Sequence, residues 1–190
     1  FQVSPQIAAA HRAEITLLED ALVRAFVATN KFDVLERSKI EAVVDENHFS
    51  TSSVGDPANA ASFGKLSGAQ YLVVGNVHEL NVRVSQEEIP YVHEWKCTET
   101  AMLRIELRVV QTKLGRIVAA HTGGGQESAP FRQSGPCGRS ADRMLTKAVG
   151  RVAEVLVGKV LDAVYPLRIV QVADGEVTLN RGEGGDFRVG

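Results

Sequence analysis

Apolar positions recur at helical spacing in two stretches of the chain. Ile7, Ala10, Ile15, Leu18, Ala21, Leu22, Ala25 and Phe26 line one face of a first helix that runs to about Thr29. Ser4-Pro5 ahead of them supplies an N-cap and a proline at the first helical position, where its missing N–H is not needed. Leu145, Ala148, Val149, Val152, Leu156, Val160 and Ala163 form the second stripe. It predicts a long helix from the Ser140 cap to about Val164, stopped by Tyr165-Pro166. At about 1.5 Å per residue that helix is roughly 36 Å long, enough to cross a whole sheet.

Between the helices the period changes to two. The first short strand is Phe32-Asp33-Val34-Leu35-Glu36-Arg37. A Ser38-capped helix over 39–48 follows, with Ile40, Val43 and Val44 inward, then a polar loop over 50–57 and a short helix over 58–66 closed by Ser67-Gly68. Tyr71-Leu72-Val73-Val74-Gly75 is continuously apolar, as in a strand covered on both faces, and completes a parallel βαβ unit. Leu80, Val82 and Val84 alternate with Asn81, Arg83 and Ser85; Leu103, Ile105, Leu107 and Val109 alternate with Arg104, Glu106 and Arg108. Lys113-Leu114-Gly115-Arg116 is a tight turn into a partner strand over 117–122, and 123–138 is a Gly-, Ser- and Pro-rich loop.

Beyond Pro166, two runs flank Ala173-Asp174-Gly175 as a β hairpin, with Arg181-Gly182-Glu183-Gly184-Gly185 as a further turn. The expected fold is therefore α/β (α+β): a mixed four-stranded sheet packed by two long helices plus shorter helices, with a C-terminal β hairpin. Residues 1–165 form the main domain, and 166–190 form the start of a small β module.

Charge narrows the function classes. The net charge is −2, and acidic and basic residues are interspersed without a run of one sign. General nucleic-acid or anionic-membrane binding needs a basic face, so neither is expected. No stretch reaches about 18 apolar residues, since even 149–164 carries Arg151, Glu154, Lys159 and Asp162. The chain starts at Phe1 and stops at Gly190, so a leader is neither indicated nor excluded. Composition alone leaves Cys97 and Cys137 open between one disulfide and two separate thiols.

Few side chains suggest chemistry. His93, Glu94 and Cys97 could be drawn as metal ligands or as a Cys-His pair. Their spacing matches no zinc pattern, and neighbours on an extended strand point to opposite faces, so a solvated polar loop is the favoured reading. Tyr91 and Trp95 in the same stretch are aromatics of the type that anchor interfaces, with packing of the insertion onto the sheet as the structural alternative. Gly123-Gly124-Gly125 lies too far ahead of the next helix to cradle phosphate and reads as a flexible strand exit. Arg37, after Glu36, reads as tying down loop carbonyls or a carboxylate. His11, His48, His78 and His121 are dispersed and show no pairing. No cofactor and no metal site are expected.

Leu35-Glu36-Arg37 at a strand end, a helix with Asp45-Glu46-Asn47, Gly68-Ala69-Gln70-Tyr71-Leu72-Val73-Val74-Gly75, the hairpin sequence 103–120 and a long final helix form an ordered set. Over about residues 10–165 this set resembles the periplasmic domain of the curli secretion channel, the CsgG-like family. It is also similar to the amino-terminal domain of TolB and to envelope lipoproteins that activate penicillin-binding proteins. In pore-forming members, membrane-spanning hairpins leave the sheet at positions matching 81–100 and 122–138. Here the first holds Gln86, Glu87, Glu88, His93, Glu94 and Lys96, and the second is short and Gly-rich, so no bilayer-lining pore is expected.

The resemblance implies a non-catalytic, periplasmic protein, anchored to the outer membrane as a lipoprotein, that binds protein partners in assembly, secretion or regulation of a surface structure. It also allows a homo-oligomer. The only membrane association implied is a lipid anchor outside this chain. In that oxidising compartment Cys97 and Cys137 form a disulfide, which closes a loop of roughly 40 residues and contributes roughly 4 kcal/mol in the chain-entropy model. Tyr91 and Trp95 become the partner-binding residues. The alternatives are a periplasmic module binding a small ligand or glycan at that loop, and a hydrolase using Cys97 and His93.

Overall fold

The computed structural model describes residues 11–35, 67–138, 143–173 and 175–180, with Asn59 and Ser62. Helix α1 spans Arg12–Ala28, and strands β1, β2 and β3 span Tyr71–Ile89, Glu94–Gln111 and Arg116–Ser134. Helix α2 spans Arg143–Val164, and a hairpin of β4 (Ile169–Ala173) and β5 (Glu176–Leu179) follows. The expected helices over 39–48 and 58–66, the Ser4-Pro5 start, the Ser140 cap, and Glu36 and Arg37 lie outside the described residues, apart from Asn59 and Ser62.

Among the described residues the main sheet has three strands in the order β1-β2-β3, every pair antiparallel. This corrects the expected four-stranded mixed sheet. Phe32 to Leu35 do not join it. Instead Phe32 packs edge-on against Phe26 at the end of α1, 5.2 Å between ring centroids, and against Tyr165 beyond α2 at 5.4 Å. Its apolar surface is spent on locking two helix ends together. Tyr71 to Gly75 is not covered on both faces either: it starts edge strand β1, and Val73 is exposed.

The larger correction is strand length. Alternation does not stop at the expected insertions; it continues through them, so β1, β2 and β3 have 19, 18 and 19 residues. Glu94 to Cys97 are strand rather than solvated loop, and 123–134 belong to β3 rather than to a flexible exit. Residues 90–93 form the turn joining β1 to β2. The turn before Arg116 is as expected, with Gly115 at φ +59°.

One face of the sheet is the core. Leu103, Ile105, Leu107 and Val109 of β2 are buried there with Val77 and Leu80 of β1. Met144, Leu145, Ala148, Val149, Val152, Ala153, Leu156, Val157 and Val160 bring the apolar stripe of α2 onto it, and Leu18, Ala21, Leu22 and Phe26 add α1. Ala163 of the expected stripe is exposed, and α2 packs chiefly on β3 and β2 rather than across all strands.

Gly123 and Gly125 make that packing close. A Cβ at Gly123 would stand 2.6 Å from Leu156 Cγ, and one at Gly125 would stand 2.9 Å from Val152 Cγ2. The glycines are seats for helix side chains, a use of glycine where another element approaches a strand. At the near end of the sheet, the buried Thr112 donates its N–H to the Gln70 carbonyl at 3.0 Å, and its hydroxyl reaches the carbonyls of Ala69 and Gln70. The loop after β2 is thereby latched to the start of β1.

The C-terminal hairpin forms as the Asp-Gly signal implies, with Gly175 at φ +78°. Asn180 closes its base. Its N–H donates to the Arg168 carbonyl, its Oδ1 accepts from the Arg168 N–H at 2.9 Å, and its Nδ2 donates to the Pro166 carbonyl at 3.0 Å.

Candidate functional site

The five positions of each strand nearest the β1–β2 turn, 85–89, 94–98 and 130–134, reach past the apolar core as a three-stranded ribbon. At about 3.3 Å per residue that projection is roughly 16 Å long. Its outer face carries Ser85 and Glu87, Lys96 and Thr98, and Pro130 and Arg132. The helix-side face carries two cross-strand rows, Gln86–Cys97–Phe131 and Glu88–Trp95–Gln133.

A ribbon with no hydrophobic layer beneath it is marginal in water, and here covalent chemistry replaces the missing core. Cys97, with no exposed surface, is bonded to Cys137, and the Cα atoms are 5.8 Å apart. The Cys137 N–H donates to Gln86 Oε1 at 2.8 Å, and Gln133 Nε2 donates to the Pro136 carbonyl. The chain leaving β3 therefore folds back over the ribbon. It is bonded covalently to β2 and by hydrogen bond to β1 at one register row, and its Pro136 carbonyl accepts a hydrogen bond from Gln133 of β3. The disulfide expected from the cell-envelope resemblance is present, and Gln86 is its unforeseen companion.

The turn that ends the ribbon is costly in backbone terms. Tyr91 and His93 adopt φ values of +72° and +54°, a region where side chains other than glycine lose roughly 1–2 kcal/mol each. Tyr91 is fully exposed and Val92 is 57% exposed, while Trp95 is half-buried on the helix-side face. Tyr91 is thus paid no packing for its strained position, and the structure brings it to the same end of the molecule as Trp95.

His93, Glu94 and Cys97 do not converge. His93 is in the turn, Glu94 lies on the outer face opposite Ile89, and Cys97 is on the other face with its sulfur in the disulfide. No free thiol remains at 97 for a Cys-His pair. Among the described residues no three His, Cys, Asp or Glu side chains group as metal ligands, and no described helix is long and apolar enough to cross a membrane.

Elsewhere the outer face holds one ionic cluster that sequence spacing did not suggest. Arg108 makes two hydrogen bonds to Glu106, Nε to Oε1 at 2.9 Å and Nη2 to Oε2 at 3.2 Å, and His78 Nε2 lies 3.5 Å from Glu106 Oε2. The Arg108 guanidinium, chiefly through its hydrogen bonds, holds the Glu106 carboxyl below the ordinary carboxylate range against the opposing effect of burial, and His78 adds a lesser pull in the same direction. A β-bulge between Val77 and Glu79 turns His78 out towards this carboxylate. The alternation rule treats that stretch as regular and so cannot find the pair; His11 likewise lies 3.4 Å from Glu14.

These features define an α+β scaffold that presents a covalently braced β ribbon with an aromatic tip. The sequence model for the curli production assembly/transport component CsgG matches residues 10–165, and the chain belongs to the CsgG family. No curated protein matches it in sequence.

Proposed function

We propose that this chain is a non-catalytic protein of the cell envelope that binds other proteins during assembly, secretion or regulation of a cell-surface structure, and that Tyr91 and Trp95 at the ribbon tip carry the contact. The observation behind this reading is the pairing at Tyr91 of full exposure with a strained backbone. An exposed aromatic that lowers stability and packs on nothing in its own chain finds its use outside it, and Tyr and Trp are the side chains that give most contact energy at interfaces. Membership of an assembly and transport family supports the same reading. The polar outer face of the ribbon favours a water-exposed arm over a bilayer-lining strand, because lipid-facing positions need apolar side chains.

In this account residues 1–165 form the binding unit and 166–190 begin an appended β module. The protein works in the periplasm, held at the outer membrane by a lipid anchor outside this chain. The test is a photo-crosslinking amino acid at position 91, compared with one at Lys113 in the turn at the opposite end of the sheet. In the cells that make the protein, position 91 is expected to give a discrete adduct with an envelope protein and position 113 none. Equal labelling at both positions, or none at 91, would refute the docking role.

A further inference from the structure

We propose that the Cys97–Cys137 bridge is a redox switch of docking. Closed, it holds the tip in the posture that the partner meets; opened by a dithiol, it releases the tip while the helix-packed body stays folded. The inference rests on the docking reading above and concerns the control of that same site.

The bridge lies where it can act on the tip alone. Cys97 is two residues from Trp95 on the ribbon, whereas the core cluster takes β2 from Ala101 to Val109. The 135–137 segment ties all three ribbon strands: by sulfur to β2, through the Cys137 N–H to Gln86 of β1, and through the Pro136 carbonyl to Gln133 of β3. Without the sulfur bond, two exposed side-chain amides are left to hold that segment, and a ribbon with no apolar layer beneath it is marginal. The left-handed backbone at Tyr91 and His93 persists only where the surrounding structure over-determines it. Once the ribbon loosens, relaxation of those two residues favours an open turn, and the docking-competent fraction falls.

Opening is a thiol–disulfide exchange. Cys97 has no exposed surface and Cys137 is partly exposed, so the attacking thiolate of the dithiol meets Cys137 Sγ. A bond forms to Cys137, the bond to Cys97 breaks, and Cys97 Sγ leaves with the electron pair and takes up a proton. The second thiol of the reductant then displaces Cys137, whose thiolate is protonated in turn. Two electrons and two protons pass to the bridge, and the dithiol ends as an internal disulfide.

The experiment takes the chain with the photo-crosslinker at position 91 in three states: oxidised, reduced with dithiothreitol and freed of it under argon, and reoxidised. Mass measurement of the Cys97 and Cys137 peptides gives the state of the bridge, and amide exchange at 103–109 verifies the fold. A Cys97→Ala, Cys137→Ala variant, locked open, is read in the cells that make the protein; should it fail to accumulate, the reduced and reoxidised states decide. The adduct is expected to fall about tenfold in the open forms, as the competent fraction falls, and to return on reoxidation, with 103–109 protected throughout. An undiminished adduct from the open protein overturns the switch and leaves the docking role intact. Loss of protection at 103–109 on reduction, or an adduct that reoxidation does not restore, overturns it as well, since the bridge would then be a support of the whole fold. No adduct from the oxidised protein removes the docking reading and the switch with it.

Discussion

Leu156 of α2 sits directly on Gly123 of β3, so close that a Cβ at position 123 would stand 2.6 Å from its Cγ. The contacting atom is a branch point held in the core, not a free side-chain end, so it cannot move aside cheaply. Gly123→Ala is expected to destabilise the protein by about 1–3 kcal/mol, as overpacking does. Gly138→Ala is the internal control, since a Cβ there would meet nothing within 4 Å. Denaturant titration of both variants checks the difference; a neutral Gly123→Ala would mean that α2 does not lie on β3 as described.

The Cys97–Cys137 bridge has a sequence separation of 40, which corresponds to about 4 kcal/mol in the chain-entropy model. Replacing both cysteines by Ser is expected to cost a large part of that. The locus of the loss is the sharper prediction. Amide exchange should quicken at 85–89, 94–98 and 130–134, where the ribbon has lost its covalent brace, and stay slow at 103–109 over the helix core. Uniform acceleration would show that the bridge acts on the unfolded chain alone.

The Glu106 carboxyl should titrate below the ordinary carboxylate range, because the Arg108 guanidinium favours its charged form. The sign follows from linkage. A carboxyl with a folded-state pKa below its unfolded one contributes stability above the unfolded value, and that contribution is lost as pH falls through the folded value. Both groups are at the surface, so salt screens the effect and its size is small. Side-chain carboxyl NMR through an acid titration should place Glu106 low in the parent protein and back in the usual range in Arg108→Met.

The fold was legible wherever the period was unbroken. The stripes of α1 and α2 placed Leu18, Ala21, Leu22 and Phe26, and Leu145 to Val160, in the core, and Asp-Gly placed the last hairpin. Strand ends were not legible, for a physical reason. The ribbon beyond the core has Gln86, Glu88 and Gln133 where inward apolar residues would be expected, because a disulfide and side-chain amides do the work of a core there. Local polarity there carries the pattern of a loop although the backbone is strand. Gly123-Gly124-Gly125 misled similarly, since nothing local distinguishes a glycine that yields space to Leu156 from one that lends flexibility. Phe32 alternated with its neighbours as a strand residue does, but its partners Phe26 and Tyr165 come from two helix ends. Of the site, Tyr91, Trp95 and the cysteine pair were visible as residue types. The place of Gln86 beside the bridge was not, because it depends on register.

The most direct measurement of the central claim is Tyr91→Gly in a protein carrying the photo-crosslinker at Val92. Glycine accepts the left-handed backbone at 91 without strain, so relief of about 1 kcal/mol should raise the melting temperature by roughly 2–4 °C, while the adduct with the envelope partner is lost. A variant that melts higher and still captures its partner at the parental yield would contradict the account, since Tyr91 would then serve neither the fold nor the contact.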